Sequence, residues 1–352
     1  MITRHPEDTQ TLHAEALALL LALESDRTWS HLSGSFTTKA VKGREYVYFQ
    51  YSDLGGAKRQ LSIGKKDAAL DKIIRNYKEQ RILGEADRAQ VKRLAGLLRA
   101  AGIAMIPHGP ARVIRALADA GVFAAGGMLM GPYAFQVLGN LLGLEWPDAA
   151  WRTQDVDIAG QVQIAIPSLE ADVPKALDSL RMGFIPVPQL DPRHASTSFR
   201  VRGKQLRVDL ITPGSESDSA PIQIRRFNAA AAPIKYLSLS MREAQPAAAI
   251  ESTAATLVVV PSPARFALHK LLVSQTRSVI QQTKSGKDLH QAALFLESLA
   301  EDRPEDLEQT AAAFCKSGPA VTRKVKRGLQ AAVNRWPDSQ LGASIVERIL
   351  GD

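Results

Sequence analysis

The order of hydrophobic periods between residues 121 and 214 constrains the fold of this chain more than any other feature. GVFAAGGMLM (121–130) reads as a short apolar strand, and GPYAFQVLGNLLG (131–143) carries apolar residues at helical spacing with Pro132 in its first turn. TQDVDIAG (153–160) is strand again. A helix is expected in PSLEADVPKALDSLRMG (167–183), with Pro174 as an interruption. Two strands in TSFRVRGKQLRVDLITPG (197–214) meet at Arg202-Gly203-Lys204. Strands and helices in this order predict an α/β (α+β) fold built on a small mixed sheet flanked by helices.

Within that frame, Asp155 and Asp157 stand one residue apart in a strand. Side chains alternate along a strand, so the two carboxylates share one face while Val156 and Ile158 share the other. Two like charges held side by side repel, and one of them titrates late unless a cation lies between them. In QLRVDLI (205–211), Arg207, Asp209 and Ile211 face one way and Val208 and Leu210 the other. If the two strands are neighbours, Asp209 joins Asp155 and Asp157. Three close carboxylates suit a hard divalent cation, Mg²⁺ or Mn²⁺, together with substrate phosphates. A pair of such ions about 3.5–4 Å apart activates an attacking oxygen and stabilises a leaving pyrophosphate. Taken alone, the D-x-D pair also suits the exposed polar face of an edge strand.

Upstream, the strand ending at Met130 meets Gly131 in a tight turn, and a helix starts at Pro132. Backbone N–H groups at that helix start would face an anion, and Gly131 would let a phosphate approach. The combined order is strand, glycine turn, helix, D-x-D strand, and a third aspartate on a later strand.

On these residues the sequence resembles the DNA polymerase β-like nucleotidyltransferase superfamily. It looks closest to a bacterial branch in which a strand ending GG-x-L-x-G-T/S precedes a T-x-D-[IV]-D strand. The corresponding residues are Gly126-Gly127-Met128-Leu129-Met130-Gly131-Pro132 and Thr153-Gln154-Asp155-Val156-Asp157, with Asp209 matching the third carboxylate. The likeness spans roughly 120–300, including PARFALHKLLVSQTR (263–277) and Lys284-Ser285-Gly286-Lys287-Asp288-Leu289, which resemble helices of abortive-infection and toxin-type members. It implies a nucleotidyltransferase that uses an NTP and Mg²⁺, with Asp155, Asp157 and Asp209 as catalytic metal ligands and Asp209 nearest the acceptor hydroxyl. Nucleotide contacts would come from Gly126, Gly127, Gly131, Gln154, Lys270, Arg277, Lys284 and Lys287. Pro132 stands where the family carries Ser or Thr and removes one phosphate contact, which leaves Gly126-Gly127 as a second phosphate pivot.

Elsewhere, TQTLHAEALALLLALESD (9–26) predicts a helix, and GREYVYFQYSDLGGAKRQLSIG (43–64) a hairpin around Asp53-Leu54-Gly55-Gly56. Basic residues of the hairpin region 39–66 (Lys39, Lys42, Arg44, Lys58, Arg59, Lys65 and Lys66) surround Tyr46, Tyr48, Phe49 and Tyr51. The module suits contact with a nucleic-acid backbone, or else packs its aromatics on neighbouring helices while lysines protect its edge. Residues 67–102 read as one long or two consecutive helices with Gly84 as a break, ARVIRALADAG (111–121) as a further helix, and the chain after Pro261 as helical. Domains are therefore expected at 1–102, 103–260 and 261–352.

A net charge of +8 attracts polyanions, so an RNA acceptor such as a tRNA 3′ end fits the charge and the basic hairpin, and a protein hydroxyl or a small molecule fits the motif equally well. An alternative is a catalytically impaired fold that binds nucleic acid or a partner. The lone Cys315 excludes an intrachain disulfide and points to the cytoplasm, and no membrane segment or signal pattern is apparent. His269 reads as structural, and His194 and His290 lack zinc-ligand spacing. Asp288 is placed as the cap of DLHQAALFLESLA (288–300).

Overall fold

The computed structural model describes residues 3–25, 34–41, 43–52, 58–145, 155–160, 171–215, 218, 220–276, 282–336 and 348–349. For 155–160 the description is of the backbone. The chain begins with a two-residue strand β1 (Thr3–Arg4) and helix α1 (Glu7–Ser25). A three-stranded antiparallel sheet follows, β2 (Gly34–Val41), β3 (Arg44–Ser52) and β4 (Lys58–Lys65). The aromatic stretch is thus the central strand of three, where the alternation predicts a two-stranded hairpin, and the turn at Asp53–Gly56 lies outside the described residues.

Helix α2 (Ala68–Ala100) starts where the Asp67 carboxylate accepts the Leu70 N–H at 2.8 Å. It runs unbroken through Gly84, the one-helix alternative of the two that the sequence offers. Tyr77, Gly84, Val91 and Leu98 recur every seventh residue on its buried face, and the glycine sits on that face close to Leu23 of α1. Tertiary packing there outweighs the roughly 1 kcal/mol that a mid-helix glycine costs. Ala16 and Leu20 of α1, Leu94 and Leu98 of α2, and Ala248 and Ile250 form one cluster.

Helix α3 (His108–Asp119) leads to β5 (Gly127–Met130), which is shorter than the 121–130 stretch predicts. Residues 121–126 form turns with Gly121 and Gly126 at positive φ, so apolar composition there serves burial rather than extension. Helix α4 (Gly131–Leu141), β6 (Leu144–Glu145), β7 (Asp155–Gly160) and helix α5 (Val173–Ser179) come next. Pro174 lies in the first turn of α5 behind an Asp172 cap, where a proline starts a helix instead of interrupting one.

After β8 (Phe184–Pro186), β9 (Ser198–Val201) and β10 (Arg207–Gly214) pair about the turn with Gly203 at φ +73°. They are followed by β11 (Ile222–Ile224), β12 (Ala229–Lys235), helix α6 (Leu237–Met241), β13 (Gln245–Glu251) and β14 (Ala254–Val260). Among the described residues the central sheet has seven strands, in the order β11-β12-β10-β7-β5, with β9 and β8 branching from β10. Four helices close the described chain: α7 (Pro263–Ser274), α8 (Gln282–Asp302), α9 (Pro304–Cys315) and α10 (Pro319–Arg335).

One face of the central sheet, bearing Leu129, Val208 and Leu210, is buried in a cluster with Val113 and Ile114 of α3 and Val137 and Leu138 of α4. The same cluster continues into the C-terminal helices. Phe135 of α4 meets Phe266 of α7 and Phe295 of α8 at ring-centroid distances of 6.3 and 5.0 Å. No helix of the described residues is long and apolar enough to cross a membrane.

Candidate functional site

The opposite face of the central sheet carries the acidic positions. Strand β7 lies between β5, antiparallel to it, and β10, parallel to it. Register pairs Met130 with Asp157, Asp157 with Asp209, and Asp209 with Ser198 of β9. The next row on the same face is Asp155, Arg207 and Arg200. Positions 155, 157 and 209 therefore share one face and sit in neighbouring rows. The side chains of Asp155 and Asp157, and all of Gln154, lie outside the described residues.

Asp209 is held from two sides. Its Oδ1 accepts a short hydrogen bond from the Ser198 hydroxyl and another from Arg207 Nε at 2.7 Å. Arg207 Nη2 also donates to Ser198 Oγ at 2.8 Å, which closes a three-residue network. Asp209 Oδ2 is bonded by no described residue. Ser198 escaped the sequence reading because it is one buried hydroxyl in a four-residue strand. Counting back from the Arg202-Gly203-Lys204 turn puts it opposite Asp209, so the turn is the signal that locates it.

Met130, the last residue of β5, sits beside position 157, and Gly131 at φ +68° turns the chain directly into α4. Glycine takes that left-handed conformation at no steric cost, which suits the turn that brings a helix start to the acidic row. Pro132 occupies the first turn of α4 without deforming it. The Gly126-Gly127 pair divides. Gly126 is exposed at φ +91°, whereas Gly127 is buried so tightly that a Cβ would lie 2.6 Å from Val122 Cγ1 and 2.7 Å from its carbonyl oxygen. Packing against Val122 is sufficient reason for a glycine at 127.

Helix α6 closes the acidic face a row further on, where Leu237 and Met241 cluster with Met128, Met130 and Ile211. It is pinned by Arg265, a buried guanidinium on α7 that donates to the Leu239 carbonyl at 3.0 Å and to Glu243 at 2.8 and 2.5 Å. These bonds hold the Glu243 carboxyl below the usual range.

The remaining expected nucleotide contacts lie on the C-terminal helices. Lys270 of α7 forms a largely buried ion pair with Asp288 of α8 at 2.7 Å, and its ammonium lies over the Phe266 ring. Asp288 therefore does not cap a helix. Helix α8 begins at Gln282, so Asp288 falls in its second turn and joins two helices through the lysine. Lys284 is exposed on the first turn of α8 and Lys287 is half-buried on the same helix, while Arg277 lies outside the described residues. His269 is buried in α7 and His194 is exposed. His290 lies against Trp336, where burial and Arg335 lower its pKa. Among the described side chains, no group of three or more His, Cys, Asp or Glu is placed to hold a metal.

The sequence model of a family described as Nucleotidyltransferase matches residues 108–315. These residues contain the central sheet, the acidic rows and helices α7 to α9. A solved structure with detectable similarity is an antigenic nucleotidyltransferase-like protein from Paracoccidioides brasiliensis. It is 16% identical, with 64% of this chain and 95% of that chain covered and a TM-score of 0.32. No curated protein matches the chain.

Proposed function

From the premise that this chain belongs to the nucleotidyltransferase family, we propose that it transfers a nucleoside monophosphate from an NTP to a hydroxyl of an RNA acceptor and releases pyrophosphate. The observation that carries this reading is the register of β5, β7 and β10. It sets positions 155, 157 and 209 on one face, next to the Gly131 turn into α4. An all-oxygen donor set, with Asp209 Oδ2 bonded by no described residue, suits a hard divalent cation, with Asp155, Asp157 and Asp209 as the residues that would hold it. Magnesium bound there supplies charge neutralisation for the α-phosphate and the departing pyrophosphate.

The chain's own groups have separate tasks in this reading. Ser198 and Arg207 fix the Asp209 carboxylate, leaving Oδ2 to orient the acceptor hydroxyl and take its proton. N–H groups of α4 beyond Pro132 face the triphosphate. Lys284, Lys287 and Arg277 contribute positive charge to the nucleotide, and Lys270, paired with Asp288, holds α7 against α8. A toxin-like role on cellular RNA is the finest form of the reading, and its support is the resemblance of residues 263–289 to toxin-type members.

Arg207 favours a second reading, a fold that has lost catalysis and binds nucleic acid or a partner. Its guanidinium already neutralises Asp209 and sits in register beside Asp155. Thermal denaturation with and without Mg²⁺ and each NTP separates the two. Under the catalytic reading the wild type gains melting temperature from the metal and nucleotide together, and Asp155→Ala/Asp157→Ala does not. Equal melting shifts for both proteins would leave the second reading standing.

A further inference from the structure

The N-terminal sheet sorts its aromatic residues onto two faces. Phe36, Phe49 and Tyr77 of α2 form an edge-to-face triad beneath the sheet, with ring centroids 4.9–5.8 Å apart, and Val47 is fully buried beside Phe49 in the strand alternation. These residues are the core of the module. Tyr46 and Tyr48, in the alternate positions of the central strand, lie on the other face and are half-buried.

Around the two tyrosines that face is polar, cationic and open. Register places Lys39 of β2 and Lys65 of β4 on either side of Tyr46, and Thr37 and Ser62 on either side of Tyr48. The next row is Ser35, Gln50 and Gln60, with Lys58 at the end of β4. Ser35, Lys39, Gln50, Lys58, Gln60, Ser62 and Lys65 are all exposed. Lys39 Nζ lies over the Tyr48 ring, 5.3 Å from its centroid, and donates to Gln60 Oε1 at 3.0 Å, so one ammonium is held against the aromatic surface. Glu45, the carboxylate on the same strand, is paired with Lys66.

We infer that this face binds single-stranded nucleic acid, with unpaired bases stacked on Tyr46 and Tyr48 and the flanking phosphates met by Lys39, Lys58 and Lys65. Two ring faces on adjacent outward positions of a central strand match successive bases of an unpaired chain. A duplex offers no free base faces to such a platform. The residues belong to a different sheet from Asp209, so this binding goes beyond the proposed transfer reaction and does not depend on it.

The test is fluorescence anisotropy with labelled oligo-U and oligo-dT of about ten nucleotides, within the usual site size of such surfaces, alongside a duplex of equal length. The full-length wild type is expected to bind one or both single strands and to bind the duplex more weakly. Preference between the two oligonucleotides tells whether the sugar is read. Tyr46→Ala/Tyr48→Ala should weaken binding at least about 10-fold, from the stacking lost per base. Tyr46→Phe/Tyr48→Phe, which keeps the rings, should stay near wild type. If the alanine variant fails to fold, Lys39→Gln/Lys65→Gln serves instead and should reduce the slope of log K against log salt by about 1.4. Asp157→Asn should keep oligonucleotide binding whatever it does to NMP transfer, so the two readings fail separately. Wild type binding neither oligonucleotide, equal affinity for the duplex, or undiminished binding by a folded Tyr46→Ala/Tyr48→Ala protein would overturn the inference.

Discussion

Asp209 and His13 show how differently two polar side chains are treated by one chain. Asp209 is partly exposed, with one oxygen fixed by Ser198 and Arg207. His13 lies buried on α1, where desolvation and the nearby His5 depress its pKa from 6.5 to about 4. Folding therefore favours neutral His13, and the unfolded chain binds more protons between those two values. The stability this contributes is fully present above about pH 6.5 and is lost as pH falls toward about 4. Urea denaturation should show the wild type losing about 2 kcal/mol between pH 7 and pH 5 from this residue. His13→Gln should flatten that dependence, and identical pH profiles would disprove the assignment.

Among the elements, two helical glycines predict opposite responses to the same substitution. A Cβ on Gly84 of α2 would meet Leu23 Cδ2 at 3.7 Å, an ordinary contact, so Gly84→Ala should stabilise the protein by about 0.5–1 kcal/mol. On Gly328 of α10 it would lie 2.4 Å from the Leu271 carbonyl oxygen, and backbone cannot move aside cheaply. Gly328→Ala should destabilise by about 1–3 kcal/mol. Chemical denaturation of both variants measures the contrast. The same pair shows what was legible in the sequence. Helical spacing announced α2, but whether a glycine interrupts a helix or seats it against a neighbour depends on Leu23, some sixty positions away in sequence. Asp288 misled for a similar reason, because a cap and a cross-helix ion pair use the same carboxylate and only the start of α8 distinguishes them. In the sheet, alternation alone put Asp155 with Asp157 and Arg207 with Asp209. The adjacency of β7 and β10 stood only as a condition in the sequence and is supplied by their pairing, and the Ser198 contact required the β9–β10 register.

For the whole molecule, one hydrophobic cluster has members on both sides of the expected boundary near residue 261. Phe135 beside the central sheet packs on Phe266 and Phe295, and Leu129 and Leu329 belong to one cluster. A fragment of residues 103–260 should therefore lack a cooperative unfolding transition by calorimetry, while the full chain shows one that includes both parts. A fragment that melts cooperatively would contradict this. Composition could not reveal the shared core, because amphipathic helices that close a domain and helices that form their own look alike along the chain.

NMP transfer by the acidic face is decided by which phosphate of the NTP carries the transferred label. Protein incubated with Mg²⁺, cellular RNA and NTP labelled at either the α- or the γ-phosphate should put the α label on RNA and release the γ label as pyrophosphate. Asp157→Asn and Asp209→Asn should each lower incorporation roughly 10²- to 10⁴-fold, the range of a lost group that acts in the transition state. Incorporation of the γ label, absence of α label with every NTP, or undiminished labelling by both variants would contradict the account.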